Sequence, residues 1–278
     1  MTTIVAGYDG SPDSGSAVRW AAVEARARDA TLVVCSAWDL VLLGDSSAHV
    51  LTRERAADTL RRGLGCAHTL LDPGRVESVL MRGSPATALL NISATAEMVV
   101  VGARGQGGLP RLLLGSVPAQ LASHCPVPLL VVRAHARPAN ASAGPVLAGV
   151  DGSPGSAAAV KFALQLADLH GLPMTAVCAL ADAPGSLAGS RRVEEDFGAL
   201  MDRLEKEYPD VLVQRETLPG AARTSLLHMA ATTRAGLVVL GTRGRGGFAT
   251  MPLGSVAQAL LQYAPCPVAL VPANPANR

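Results

Sequence analysis

Short apolar runs recur along the chain, separated by longer stretches in which apolar residues return every three to four positions. In the first half the runs cover residues 3–8, 31–37, 75–81, 98–102 and 129–132. Segments such as "LVVC" and "MVVVG" lack the alternation of a strand with one wet face, so they predict strands in a sheet covered on both sides. The stretch "SPDSGSAVRWAAVEARARD" between the first two runs has the marks of a helix: Ser11 as N-cap, Pro12 at the first helical position, and apolar Val18, Ala21, Ala22 and Ala25 on one face. Strands alternating with helices predict parallel pairing through right-handed crossovers, hence a doubly wound α/β sheet.

The pattern occurs twice. "VAGYDGSPDSGSAVRWA" from Val5 matches "LAGVDGSPGSAAAVKFA" from Leu147 at an offset of 142. "VVVGARGQGGLPRLLLGSV" from Val99 matches "VVLGTRGRGGFATMPLGSV" from Val238 at an offset of 139, so the second copy is three residues shorter in between. Between the copies, "RAHARPANASAGP" has a linker's composition and no apolar period. The expected organisation is one domain over residues 1–133, a linker over 134–144 and a second domain over 145–278.

Composition narrows the function. With 49% hydrophobic residues and 17% charged, each half has material for a core. A net charge of +2 and 3% aromatics leave no footprint for nucleic acid. The start "MTTIVAGYDGSP" lacks the basic flank and longer apolar stretch expected of a signal peptide, and no apolar run approaches the roughly 20 residues of a membrane span. Cys35, Cys66, Cys125, Cys178 and Cys266 are odd in number and mostly within apolar runs, which suits buried thiols and a cytoplasmic protein.

In a doubly wound sheet, ligands bind beyond the carboxyl ends of the strands, where strand order reverses. Two loops per copy reach that point: residues 7–11 after the first strand and 102–116 after the fourth. A Walker loop is excluded, because no lysine precedes Ser116 or Ser255 and the chain holds only Lys161 and Lys206. A dinucleotide fingerprint fits residues 244–249 but not the first copy, which has Pro110 at the closing position. What both copies share is Gly102-x-x-Gly105-x9-Gly115-Ser116 and Gly241-x-x-Gly244-x9-Gly254-Ser255. The first two glycines of each are expected to take positive φ and turn their N–H groups into an anion nest, continued by Gly107, Gly108, Gly246 and Gly247. The Gly-Ser pair and the next residue, Val117 or Val256, open a helix whose N–H groups and dipole favour phosphate.

These loops, with "GYDGSP", "GVDGSP" and the closing "APCPVALVP", resemble the universal stress protein family in its tandem, ATP-binding form. The resemblance implies a five-stranded parallel sheet per domain, Rossmann-like and nucleotide α-hydrolase-like, with one ATP per domain. The nucleoside would lie toward the first strand, at Gly7 and Gly149. Asp9 and Asp151 would face the adenosine or a nucleotide-borne Mg²⁺. Ala37 and Ala179 would meet adenine through their backbones, and Arg104 and Arg243 would touch phosphate. Cys266 has no counterpart in the first copy, where Val127 occupies the position.

No catalytic constellation emerges. None of His49, His68, His124, His135, His170 and His228 repeats between copies, and Ser11, Ser116, Ser153 and Ser255 are accounted for as caps or phosphate donors. The expectation is a nucleotide-dependent regulatory protein of the stress response. The alternatives are an enzyme of the same architecture, hydrolysing ATP slowly or transferring adenylyl groups, and a nucleotide-free interaction module. The last strands, 129–132 and 268–271, are apolar edges expected to pair within the chain as an internal pseudo-dimer, with a homodimer as a further option.

Overall fold

The computed structural model describes residues 2–38, 53–106, 113–134, 136, 138, 144–180, 187–245 and 253–273. The chain divides into two compact units, Met1–Pro138 and Ala139–Arg278.

The first unit runs β1 (Thr3–Gly7), α1 (Pro12–Ala27), β2 (Thr31–Trp38), α2 (Arg53–His68), β3 (Val76–Arg82), α3 (Pro85–Ser93), β4 (Met98–Gly102), α4 (Ser116–His124) and β5 (Leu129–Val132). Its strands lie in the order β3-β2-β1-β4-β5, all parallel. The second unit repeats this with β6 (Val146–Val150), α5 (Pro154–His170), β7 (Met174–Leu180), α6 (Leu187–Glu205), β8 (Val213–Pro219), α7 (Ala222–Thr232), β9 (Leu237–Gly241), α8 (Ser255–Tyr263) and β10 (Val268–Val271). Its parallel order is β8-β7-β6-β9-β10. Each unit is thus a doubly wound five-stranded sheet whose strand order reverses between β1 and β4, or between β6 and β9.

The apolar stripe of α1 is the one the sequence predicts. Val18, Ala21, Ala22 and Ala25 are fully buried against the sheet. Ser11 caps the helix by accepting the Ser14 N–H at 3.2 Å, and Ser153 caps α5 by accepting that of Ser156 at 3.1 Å. Each satisfies an N–H group that the first helical turn would otherwise leave unpaired. The strand expected at residue 75 begins one residue later, because Pro73–Arg75 close a 3₁₀ turn that uses the Arg75 N–H on the Asp72 carbonyl.

Packing at the carboxyl end of the fourth strand is unusually close. A Cβ on Gly102 would lie 2.7 Å from the Ser14 nitrogen, and one on Gly241 would lie 2.7 Å from the Gly155 carbonyl carbon. The first turn of α1 or α5 therefore presses directly onto backbone, and only glycine leaves room for it.

Candidate functional site

Asp9 and Asp151 follow β1 and β6 and hold the site together. Asp9 Oδ1 accepts the Ser11 N–H at 2.9 Å, and Oδ2 accepts the Gln106 N–H at 3.0 Å. Asp151 repeats the arrangement with the N–H groups of Ser153 at 2.9 Å and Arg245 at 2.8 Å. Each carboxylate therefore ties the turn after the first strand of its unit to the loop after the fourth. Burial alone would raise the Asp151 carboxyl. Hydrogen bonds from Ser153, from the Arg245 backbone and from Ser156 outweigh that and hold it below its ordinary value.

The glycines work differently from the expectation that Gly102, Gly105, Gly241 and Gly244 take positive φ. Among the described residues around the site, positive φ belongs to Gly10 (+87°) and Gly152 (+75°), in the turn after the first strand. Gly105 is required by proximity: a Cβ there would meet Asp9 Oδ2 at 2.5 Å, and one on Gly244 would collide with Asp151 Oδ2. The bare backbone at these positions lets the carboxylate reach the loop amide. Gly107, Gly108, Gly246 and Gly247 lie outside the described residues, as do His49 and His135.

Helices α4 and α8 begin beside this clamp. Gly115 and Gly254 are their N-caps, with no side chain capping either helix. The N–H groups of both glycines are used inside the loop, donating to Ala103 O at 2.8 Å and Thr242 O at 2.9 Å. The donors left at the helix start are those of Ser116 and Val117, and of Ser255, Val256 and Ala257.

In the second unit these groups border a cavity of about 370 Å³. Gly149, Val177, Ala179 and Leu226 form its apolar side. Arg243, Ser255, Val256 and Ala257 bring its free donors, and Asp151, Gly241, Gly244 and Gly254 complete the lining. The size suits a small molecule, and the division into apolar and donor-rich ends suits one with a ring at one end and anionic charge at the other.

In the first unit the matching residues occupy matching positions. Gly7 ends β1, where a Cβ would stand 3.0 Å from Leu89, and Ala37 pairs with Met81 near the end of β2. Arg104 differs from Arg243. Its Nε lies 3.6 Å from Asp13 Oδ2, and its backbone N–H donates to the same oxygen at 3.1 Å. Asp13 is 3% exposed and also accepts the Ala134 N–H at 2.9 Å. Sequence reasoning missed Asp13. The available signal was its replacement by Gly155 in the second copy.

Among the described residues, no group of three His, Cys, Asp or Glu side chains is placed to hold a metal, and no helix is long and apolar enough to cross a membrane. His68, His124, His170 and His228 end or lie within helices and do not border the cavity.

The universal stress protein family model matches residues 1–133 and 143–272, covering both copies. The chain belongs to the universal stress protein family. A universal stress protein of Mycolicibacterium smegmatis is 34% identical over 290 residues, spanning 96% of each chain. A universal stress protein of Mycobacterium tuberculosis is 33% identical over 307 residues, spanning 98% of this chain and 96% of the relative. The crystal structure of a universal stress protein from Archaeoglobus fulgidus shares the fold, with a TM-score of 0.73, 20% identity and 98% coverage of both chains. This universal stress protein is thus a tandem one, related over nearly its full length to other tandem-length members.

Proposed function

We propose that the protein is an ATP-binding regulator of the stress response, with one nucleotide seat per domain and no catalytic role. The observation that carries this reading is the second unit's cavity, where Ser255, Val256 and Ala257 open a helix toward a loop held by Asp151. Adenosine would occupy the apolar end at Gly149, Val177 and Ala179. Phosphates would take the N–H groups at the start of α8, the Ser255 hydroxyl and the Arg243 guanidinium. A loop without lysine supplies its positive potential from backbone dipoles and one arginine.

The donor set fits a nucleotide better than a resident metal. Both oxygens of Asp151 already accept N–H groups, and no other carboxylate is among the described residues that line the cavity. Mg²⁺ would ride on the triphosphate, neutralising its oxygens and keeping most of its water, with Asp9 or Asp151 facing that water shell. None of the five cysteines forms a disulfide, which supports a cytoplasmic location.

The test is to denature the purified protein and identify the released nucleotide by mass spectrometry, then titrate ATP with Mg²⁺ into the emptied protein. Co-purified or titrated ATP without release of ADP, AMP or pyrophosphate supports a binding regulator. Turnover would favour the enzyme reading, and no nucleotide in either experiment would favour an interaction module.

A further inference from the structure

We infer that the two copies are unequal seats for a nucleotide triphosphate, the second being tighter because Asp13 and Pro118 weaken the first. The inference rests on the phosphate-loop reading above.

The first observation concerns the arginines. Arg104 and Arg243 occupy the same position in their loops, but Arg104 is drawn onto the buried carboxylate of Asp13. The second copy has Gly155 at that position, and Arg243 borders the cavity with no ion-pair partner among the described residues. In the first copy a phosphate would therefore meet a guanidinium already matched by a carboxylate. It would also approach a loop backed by negative charge.

The second observation concerns the helix starts. Pro118 is the third residue of α4 and has no N–H, whereas Ala257 stands at that place in α8 and contributes one beside the cavity. The next amides, Ala119 and Gln258, are used on Gly115 O and Gly254 O. The first turn thus offers two amide donors in the first copy and three in the second. Arg133, where the second copy has Pro272, adds a cation to the first copy, but it donates to the Leu113 carbonyl at 3.3 Å.

One charge-assisted hydrogen bond corresponds to about tenfold in affinity. Calorimetry of the full chain with Mg²⁺ and ATP should therefore resolve two classes of site at least about tenfold apart. Ser255→Glu should remove the tight class and Ser116→Glu the weak one. Both positions are exposed, and an acidic residue in the first turn suits the helix dipole.

With Ser255→Glu in place, Pro118→Ala should tighten the remaining ATP site by about threefold or more. Adenosine, which lacks phosphate, should bind as before, a result that a merely structural effect would not give. With Ser116→Glu in place, Gly155→Asp should weaken ATP more than Gly155→Asn, which adds the same bulk without the charge. Equal affinities in the wild type would overturn the inference. So would survival of the tight class in Ser255→Glu, or adenosine responding as strongly as ATP. If the wild type bound no ATP at all, the phosphate-loop reading would fail first and the inference with it.

Discussion

Asp151 and Arg245 meet across the site through a single hydrogen bond of 2.8 Å, from the Arg245 backbone N–H to Asp151 Oδ2. The contact joins the turn after β6 to the loop after β9, and Asp9 makes the same contact with Gln106 in the first copy. An acidic residue at an anion site is paradoxical only if it is assigned to the ligand. Here its two oxygens organise backbone donors, and the donors serve the ligand.

Asp151→Asn should therefore loosen the loop, since an amide can offer only one acceptor oxygen where two N–H groups need partners. ATP affinity at the second site is expected to fall by about tenfold or more, with smaller loss of overall stability. Hydrogen exchange at the Arg245 amide should rise in the variant. Unchanged exchange would show that the carboxylate does not hold the loop.

The same carboxylate predicts a pH dependence. Its pKa is depressed in the folded protein, so its contribution to stability is fully present above the unfolded carboxyl value of about 3.9 and is lost as pH falls through the lower folded value. The wild type should lose stability on acidification below about pH 4 more steeply than Asp151→Asn. Parallel denaturation profiles of the two proteins at pH 7 and pH 3.5 measure this, and parallel losses would remove the assignment.

Gly241→Ala and Gly102→Ala are expected to destabilise their units by about 1–3 kcal/mol, because the added methyl meets backbone atoms that cannot rotate away. At Gly241 these are the carbon and oxygen of Gly155, at 2.7 and 2.9 Å. Thermal unfolding of the variants, compared with Gly198→Ala, where a Cβ meets nothing within 4 Å, separates this effect from a general cost of replacing glycine.

How far the sequence could be read follows from the same residues. The strands and the caps Ser11 and Ser153 are legible because hydrophobic period and capping chemistry are local. The repeat is legible because it is written twice. That glycine is needed at 102, 105, 241 and 244 is also legible, but the reason is not. Positive φ at Gly10 and close approach at Gly102 leave the same letter in the sequence, and only the path of α1 past β4 distinguishes them. Asp13 reads as an ordinary acidic residue in a first helical turn. Its burial depends on the N–H groups of Arg104 and Ala134, which are remote in the chain.

The thiols should differ in reactivity. Burial pushes the Cys35 thiol up to about 12 and raises Cys178 to about 11, where the Arg245 charge partly offsets burial. Cys125 is raised by burial as well, and Cys266 is buried. Cys66 is half-buried on α2. Since thiolate is the reacting form, native protein treated with iodoacetamide at pH 8 should be modified at Cys66 first, with all five reacting after denaturation. Peptide mapping reads the order, and early labelling of Cys35 would contradict its placement in the core.

Trp20 offers a test of how the copies diverged in their cores. It is fully buried on α1, and its indole N–H has no hydrogen-bond partner among the described residues. A buried donor without a partner costs about 1–3 kcal/mol, which offsets part of what the large ring gains by packing. The second copy carries Phe162 at the matching position, buried and with no donor to satisfy. Trp20→Phe exchanges a loss of volume for removal of that donor, so the two effects oppose each other and the net change should stay within about 1 kcal/mol. Trp20→Ala has no such compensation and should cost about 3–5 kcal/mol. Denaturant titrations of the two variants give the comparison. A loss in Trp20→Phe approaching that of Trp20→Ala would mean that the indole N–H is satisfied in solution and that the ring earns its place by more than size.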